Sequence, residues 1–270
     1  MGGWPPRGRT PQGVVAVDPA PDRAVSVGAE SAVRRALERA ACWRLLGSAF
    51  AYPTAPRLAA VAADAARVAE GEHPPAVRQA LEAFAVAARA ADPDAMASEY
   101  VFLFDRQVPC PPYEGAWGDG PRLADRPALL ADVAGFYLAF GLEPAGAQPD
   151  TEDHLVAEAE FMSALAIKEA WALAEGLDEA AAITRAAQRA FLGDHLGRWA
   201  GAFATSLAAM TPLSYYTAAA TLLAAWVEAE VSALGAAPAR VSGRAAADPV
   251  TATDAFTCPM VPDSGFPDAS

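Results

Sequence analysis

From Asp150 to Met162 the chain reads Asp-Thr-Glu-Asp-His-Leu-Val-Ala-Glu-Ala-Glu-Phe-Met, which places one imidazole, His154, among five carboxylates: Asp150, Glu152, Asp153, Glu158 and Glu160. His154 and Glu158 stand one helical turn apart and could share a metal ion or a proton. A carboxylate-bridged di-iron centre would need Glu-x-x-His on two helices, but Thr151 and Leu192 occupy the positions three before His154 and His195. No Cys/His dyad or Ser/His/Asp order can be defended from spacing, so no catalytic residue, metal or cofactor is assigned. The remaining chemistry is recognition. An acidic run at Asp150 is expected to open a helix with His154 in its first turn, as a cap, as a surface residue or as a contact to a peptide ligand or a neighbouring loop. Carboxylates at the positive end of that helix could take guanidinium groups in bidentate pairs, which favours Arg over Lys. Leu155, Met162 and Leu165 would face the core, with Glu158 and Phe161 at its edge, although Phe161 also fits ordinary core. Such a surface suits a ligand that is cationic at one end and apolar along the rest, as a basic, hydrophobic peptide is.

A second group precedes it. Between Asp105 and Pro127 the chain carries five prolines and three glycines around Tyr113, Glu114 and Trp117, a stretch too long for a simple connection and therefore expected to be functional. Tyr113 can stack on an apolar or cationic group and Glu114 adds charge, which fits peptide capture. Tyr100, Phe102 and Phe104 before the loop, and Pro112 within it, are expected to support it. No phosphate loop or Gly-x-Gly-x-x-Gly is present to cradle a nucleotide.

The elements that must hold these groups are helices. Ala, Leu, Glu and Arg dominate the middle of the chain with helical spacing and without β-branched runs. The expected fold is all-α, a single compact helical-bundle domain of about eight helices with long loops, spanning residues 29–235. Its helices are expected near 30–51 (Ala36, Ala40, Trp43, Leu46 and Ala49 inward), 55–70, 74–91 (Val77, Leu81, Phe84 and Val86 inward), a helix capped by Asp92 and Asp94, then 128–140, the helix from Asp150, 178–205 and 212–234. Pro, Gly and Arg without period mark residues 1–28 as a disordered arm, and repeated prolines mark 236–270 as a disordered tail.

Composition narrows the partners. The 270 residues are 53% hydrophobic, enough for one large core, and carry a formal charge of −13 from 33 acidic and 20 basic side chains. That charge disfavours nucleic acid and favours cationic ligands. Cys42, Cys110 and Cys258 share no metal-site or disulfide spacing, which fits a reducing cytoplasm. No signal peptide is read at the start, and no stretch reaches the roughly 18 to 20 apolar residues of a bilayer span, so no integral membrane segment is expected.

The order of several short motifs resembles the TorD/DmsD-type molybdoenzyme chaperones over about residues 30–234. These are Glu99-Tyr100-Val101-Phe102-Leu103-Phe104, Pro111-Pro112-Tyr113-Glu114, Phe136-Tyr137, Phe140-Gly141-Leu142, Asp153-His154-Leu155, Glu158-Ala159-Glu160-Phe161-Met162, and Phe191-Leu192 with His195-Leu196 and Trp199. Two positions depart from the pattern. Glu152 stands where the family commonly has proline, and Gly115 where it has serine. The resemblance implies a TorD-like fold and a non-catalytic, cytoplasmic chaperone, monomeric or homodimeric. Its partners would be the catalytic subunit of a molybdopterin oxidoreductase and that subunit's twin-arginine leader, held until the cofactor is inserted before export. Asp153, Glu158 and Glu160 would then attract the arginines, His154 would orient or hydrogen-bond, and Tyr113 and Phe161 would line the path of the apolar run, with Glu114 and Trp117 completing the peptide-binding set. Alternatives are a nitrate-reductase-type chaperone of a non-exported enzyme, a guanine-nucleotide-binding protein and a structural helical adaptor.

Overall fold

In the computed structural model, residues 27–106, 108–118, 126–143 and 151–243 are described. Nine α-helices account for most of them: α1 (Val27–Phe50), α2 (Ala55–Ala69), α3 (Pro75–Arg89), α4 (Pro93–Tyr100), α5 (Arg126–Ala139), α6 (Leu155–Ala174), α7 (Asp178–Asp194), α8 (Leu196–Met210) and α9 (Ser214–Leu234). Among the described residues the fold is all-α, without a β-strand, and Tyr113 forms an isolated antiparallel bridge with His154. Of the arm expected at 1–28, residues 1–26 lie outside the described residues, as do the Asp150 cap, Cys258 and residues 244–270, while Val27 and Gly28 belong to α1.

The α1 stripe is as expected. Ala36, Ala40, Trp43, Leu46 and Ala49 are all buried, mainly against α6, which runs alongside α1. Each large apolar side chain buried this way contributes about 1.5–3 kcal/mol relative to exposure. Thr54 caps α2 by accepting from Arg57 N, and Asp92 caps α4 by accepting from Ala95 N. The latter cap belongs to Asp92 alone, since Asp94 lies in the first turn. α3 buries Val77, Leu81 and Phe84 against α2 and α9. Val86, expected inward, is 65% exposed, because it falls between Ala85 and Ala87 on the opposite side of the stripe.

Two boundaries differ from expectation. The helix expected over 178–205 is two helices, broken at His195, whose backbone (φ −126°, ψ −104°) leaves the helical region. The second helix starts hard against the first. A Cβ at Gly197 would sit 2.2 Å from the carbonyl oxygen of Leu192, so only glycine fits there. The helix expected from Asp150 begins instead at Leu155, with His154 as its N-cap rather than inside its first turn.

A buried ion network ties α1, α6, α7 and α9 together. Arg39 Nε and Nη2 donate to the Glu230 carboxylate (2.8–3.0 Å), Nη1 donates to Glu169 (2.7 Å), and Nη2 also reaches Gln188. Trp43 Nε1 donates to Glu230 as well (3.1 Å). Burial by itself would lower the Arg39 pKa, but Glu230 and then Glu169 outweigh it and hold the guanidinium above its usual value. α9 is long and apolar enough to cross a membrane, and here it is a core helix that buries Tyr215, Tyr216, Leu223 and Trp226 and supplies Glu230 to this network.

Candidate functional site

The loop and the α6 start, separate in sequence, form one junction. α4 continues into a wide π turn, Val101–Arg106, that buries Leu103 and Phe104 and turns the chain toward the prolines. Aromatic contacts then carry the loop. Tyr100 packs on Phe104 (5.1 Å between ring centres), Phe104 stacks on Phe203 (6.3 Å), and Trp117 meets Phe203 edge-on (5.9 Å) while its indole N–H donates to the Pro111 carbonyl (2.9 Å). Tyr100 and Phe104, expected to support the loop, thus belong to the aromatic cluster around Phe203 that Trp117 also meets. Phe102 does not, being 40% exposed on the other side of the turn.

Reciprocal main-chain bonds fasten the loop to α6. Glu114 N donates to the Asp153 carbonyl and Leu155 N donates to that of Pro112, both at 2.8 Å. Asp153 completes the joint, its carboxylate accepting from Gly115 N (3.0 Å) and from the Thr151 hydroxyl (2.6 Å). A Cβ at position 115 would lie 2.9 Å from Asp153 Oδ2. The glycine that departs from the family pattern therefore sits where the backbone closes on this carboxylate. His154 Nδ1 accepts from Val156 N (3.1 Å), so the ring caps α6, and Tyr113 packs edge-on against it at 4.9 Å.

Behind the junction Glu114 and Glu158 point inward. Glu114 Oε2 accepts from His195 Nδ1 (3.0 Å), and Arg198 Nη1 stands 3.9 Å from its other oxygen. His195 Nε2 lies 3.5 Å from Asp132 Oδ2 on α5, within ion-pair reach but without hydrogen-bond geometry. Glu158 accepts from Trp199 Nε1 (3.2 Å) and leaves Oε1 without a hydrogen bond. Burial, then the nearby charges of Glu114 and Asp153, push the Glu158 carboxyl well above the usual range, against the opposing Trp199 bond. Phe161 is core, packed against Tyr137 and Phe191 at 4.8 Å each. Tyr137 fixes the approach to the junction by donating to the Glu152 carbonyl (2.7 Å), and burial raises the pKa of its hydroxyl.

This geometry corrects the surface expectation. Asp153 and Glu158 are fully buried, His154 is 2% exposed and Glu114 5%, and Trp117 and Phe161 are buried with them. An open carboxylate cluster at the helix start is replaced by an internal polar joint, because the loop covers the side chains that helical spacing alone leaves facing out. Of the expected contacts, Glu160 is exposed and Tyr113 half-buried, and Pro112 is a buried anchor. The residues missed as a group are His195, Asp132 and Arg198. His195 enters the sequence motifs, but its partners lie on other elements. Among the described residues, no group of three or more His, Cys, Asp or Glu is placed to hold a metal ion.

Residues 70–205, from the end of α2 into α8, match the family described as nitrate reductase delta subunit. This chain belongs to the nitrate reductase delta subunit family. The match contains the whole junction, from the π turn to His195 and Trp199, and upholds the resemblance to molybdoenzyme maturation chaperones. A curated relative, the perchlorate reductase assembly chaperone protein of Dechloromonas aromatica (strain RCB), is 33% identical over 135 residues, 49% of this chain. The aligned part spans 59% of that relative's length. A crystal structure of a candidate redox enzyme maturation protein from Archaeoglobus fulgidus is 22% identical, over 68% of this chain and 91% of that one, with a TM-score of 0.43.

Proposed function

We propose that this delta-subunit family member is a cytoplasmic assembly chaperone. It binds the apo catalytic subunit of a molybdenum-pterin oxidoreductase and that subunit's twin-arginine leader, and so delays export until the cofactor is inserted. The observation that carries the reading is the joint itself. The Pro111-Pro112-Tyr113-Glu114 loop is locked onto the start of α6 by paired main-chain bonds, and the polar groups behind it are used in internal bonds that hold a surface in shape. A loop held rigid on a helical scaffold is suited to recognition. Membership of the family and the assembly-chaperone relative support the same reading.

In this reading Tyr113, Glu160 and the half-buried Glu152 meet the peptide. Glu114, Trp117, Asp153, His154, Glu158 and Phe161 act from beneath by fixing where those residues stand. Exposed carboxylates on a chain of net charge −13 attract the arginine pair, and bidentate pairing favours arginine over lysine. Calorimetric titration of the full chain with a synthetic leader, two consecutive arginines followed by an apolar run, tests this. Binding should weaken about tenfold, about 1.4 kcal/mol, when both arginines become lysine. Equal affinity for a scrambled apolar peptide would reject it.

The family description, nitrate reductase delta subunit, makes a nitrate-reductase-type client that is not exported the second reading. The subunit that copurifies with the chaperone decides between them by the presence or absence of a leader.

A further inference from the structure

After α9 the chain does not leave the fold. Gly235 caps the helix in the left-handed conformation (φ 67°), and residues 236–243, expected to begin a disordered tail, lie across α8 as an extended strap. Val241 N donates to the Arg198 carbonyl (3.0 Å), Arg198 Nε donates to the Ala239 carbonyl (3.4 Å), and Arg240 pairs with Glu228 of α9 (2.6 Å). The strap ends at the functional loop, where Gly118 N donates to the Gly243 carbonyl (3.0 Å). Together with Gly201, Ala202, Thr205, Ala224 and Trp117, its residues 240–243 line a cavity of about 430 Å³.

Three features make this groove a peptide site rather than a simple fastening. Arg198 reads main-chain atoms through its carbonyl and its Nε, so it accepts an extended segment of many sequences. Glu228 supplies an acid where the strap carries its arginine, and the small residues next to it leave room for the apolar side chain that follows. The strap is also loosely held. Arg240 and Glu228 are both more than half exposed, and exposed pairs and single hydrogen bonds contribute little each. Arg198 further stands 3.9 Å from Glu114, so strap and loop share a residue.

We propose that the strap is an intramolecular stand-in for the client. The groove between α8 and α9 takes an extended, arginine-bearing peptide, and residues 236–243 occupy it until such a peptide displaces them. The proposal rests on the reading that this chain binds a client segment of that chemistry. A strap that covers the site reduces the apparent affinity in proportion to the fraction of molecules in which it is open.

The test uses the full chain, Val241→Pro, Val241→Ala and the double variant Val241→Pro with Glu228→Gln, each titrated with the synthetic arginine-pair leader. Proline removes the N–H that Val241 donates and lies outside every helix, and alanine retains that N–H. Val241→Pro should bind about tenfold more tightly than the parent, Val241→Ala should match the parent, and the gain should vanish in the double variant. Hydrogen exchange read alongside should show the Val241 and Gly118 amides losing protection when leader binds the parent. Unchanged affinity in Val241→Pro, or protection that survives leader binding, overturns the strap and leaves the client reading standing. Absence of binding to all four proteins overturns both.

Discussion

Replacing Asp153 with alanine separates a structural joint from a surface contact. The carboxylate is fully buried and accepts two hydrogen bonds, from Gly115 N at 3.0 Å and from the Thr151 hydroxyl at 2.6 Å. Bonds to a charged acceptor contribute about 1.5–3 kcal/mol each, and the Gly115 donor would lose its partner inside the loop. Thr151 is half-buried and can turn to water, which puts its share at the low end. Removing the charge also relieves the repulsion that Asp153 exerts on Glu158, a smaller opposing effect. The net cost is about 3 kcal/mol, which for a domain of this size lowers Tm by about 6–12 °C. Asp153→Asn keeps one acceptor oxygen and should lose less than half of that. Thermal unfolding followed by circular dichroism at 222 nm reads all three proteins, with Glu160→Ala as the surface control, expected within about 0.5 kcal/mol of the parent. If Asp153→Ala unfolds within about 2 °C of the parent, the loop is not held by this carboxylate and the joint is misread.

Arg39→Met should cost about 3–5 kcal/mol, because Glu230 would remain buried without its cation and Glu169 would keep only Arg185, and a urea midpoint shift with unchanged slope would measure it. Glu158→Gln should act through pH. The folded carboxyl has a raised pKa, so its protonated form stabilises the fold fully below the unfolded carboxylate range and that contribution is lost as pH rises through the folded value. The Tm of Glu158→Gln relative to the parent should therefore climb as pH rises above the unfolded carboxylate range, about pH 4. A difference constant with pH would show that Glu158 does not hold a proton.

Much of the fold was legible because periodicity and punctuation act locally. Ala36, Ala40, Trp43, Leu46 and Ala49 share one face of α1 by spacing alone, and Asp92 caps α4 by residue type. The break at His195 carried no proline to announce it. It is set by the bond from His195 to Glu114, 81 residues away, and by the close approach at Gly197. The junction was legible in its members but not in their orientation. Asp153 and Glu158 were named at the helix start and Glu114 in the loop, yet helical spacing cannot show that a distant loop will cover the helix acids. Arg39, Glu169 and Glu230 escaped notice for the same reason, since each is an ordinary helix residue until the bundle brings them together.

The most direct measurement is affinity purification of the full chain from its native cells, with mass spectrometry of what copurifies. A molybdenum-pterin oxidoreductase catalytic subunit, lacking its cofactor and retaining its leader, should be enriched over a tag-only control. Recovery of no such subunit, or solely of its cofactor-loaded form without a leader, would contradict the proposed role.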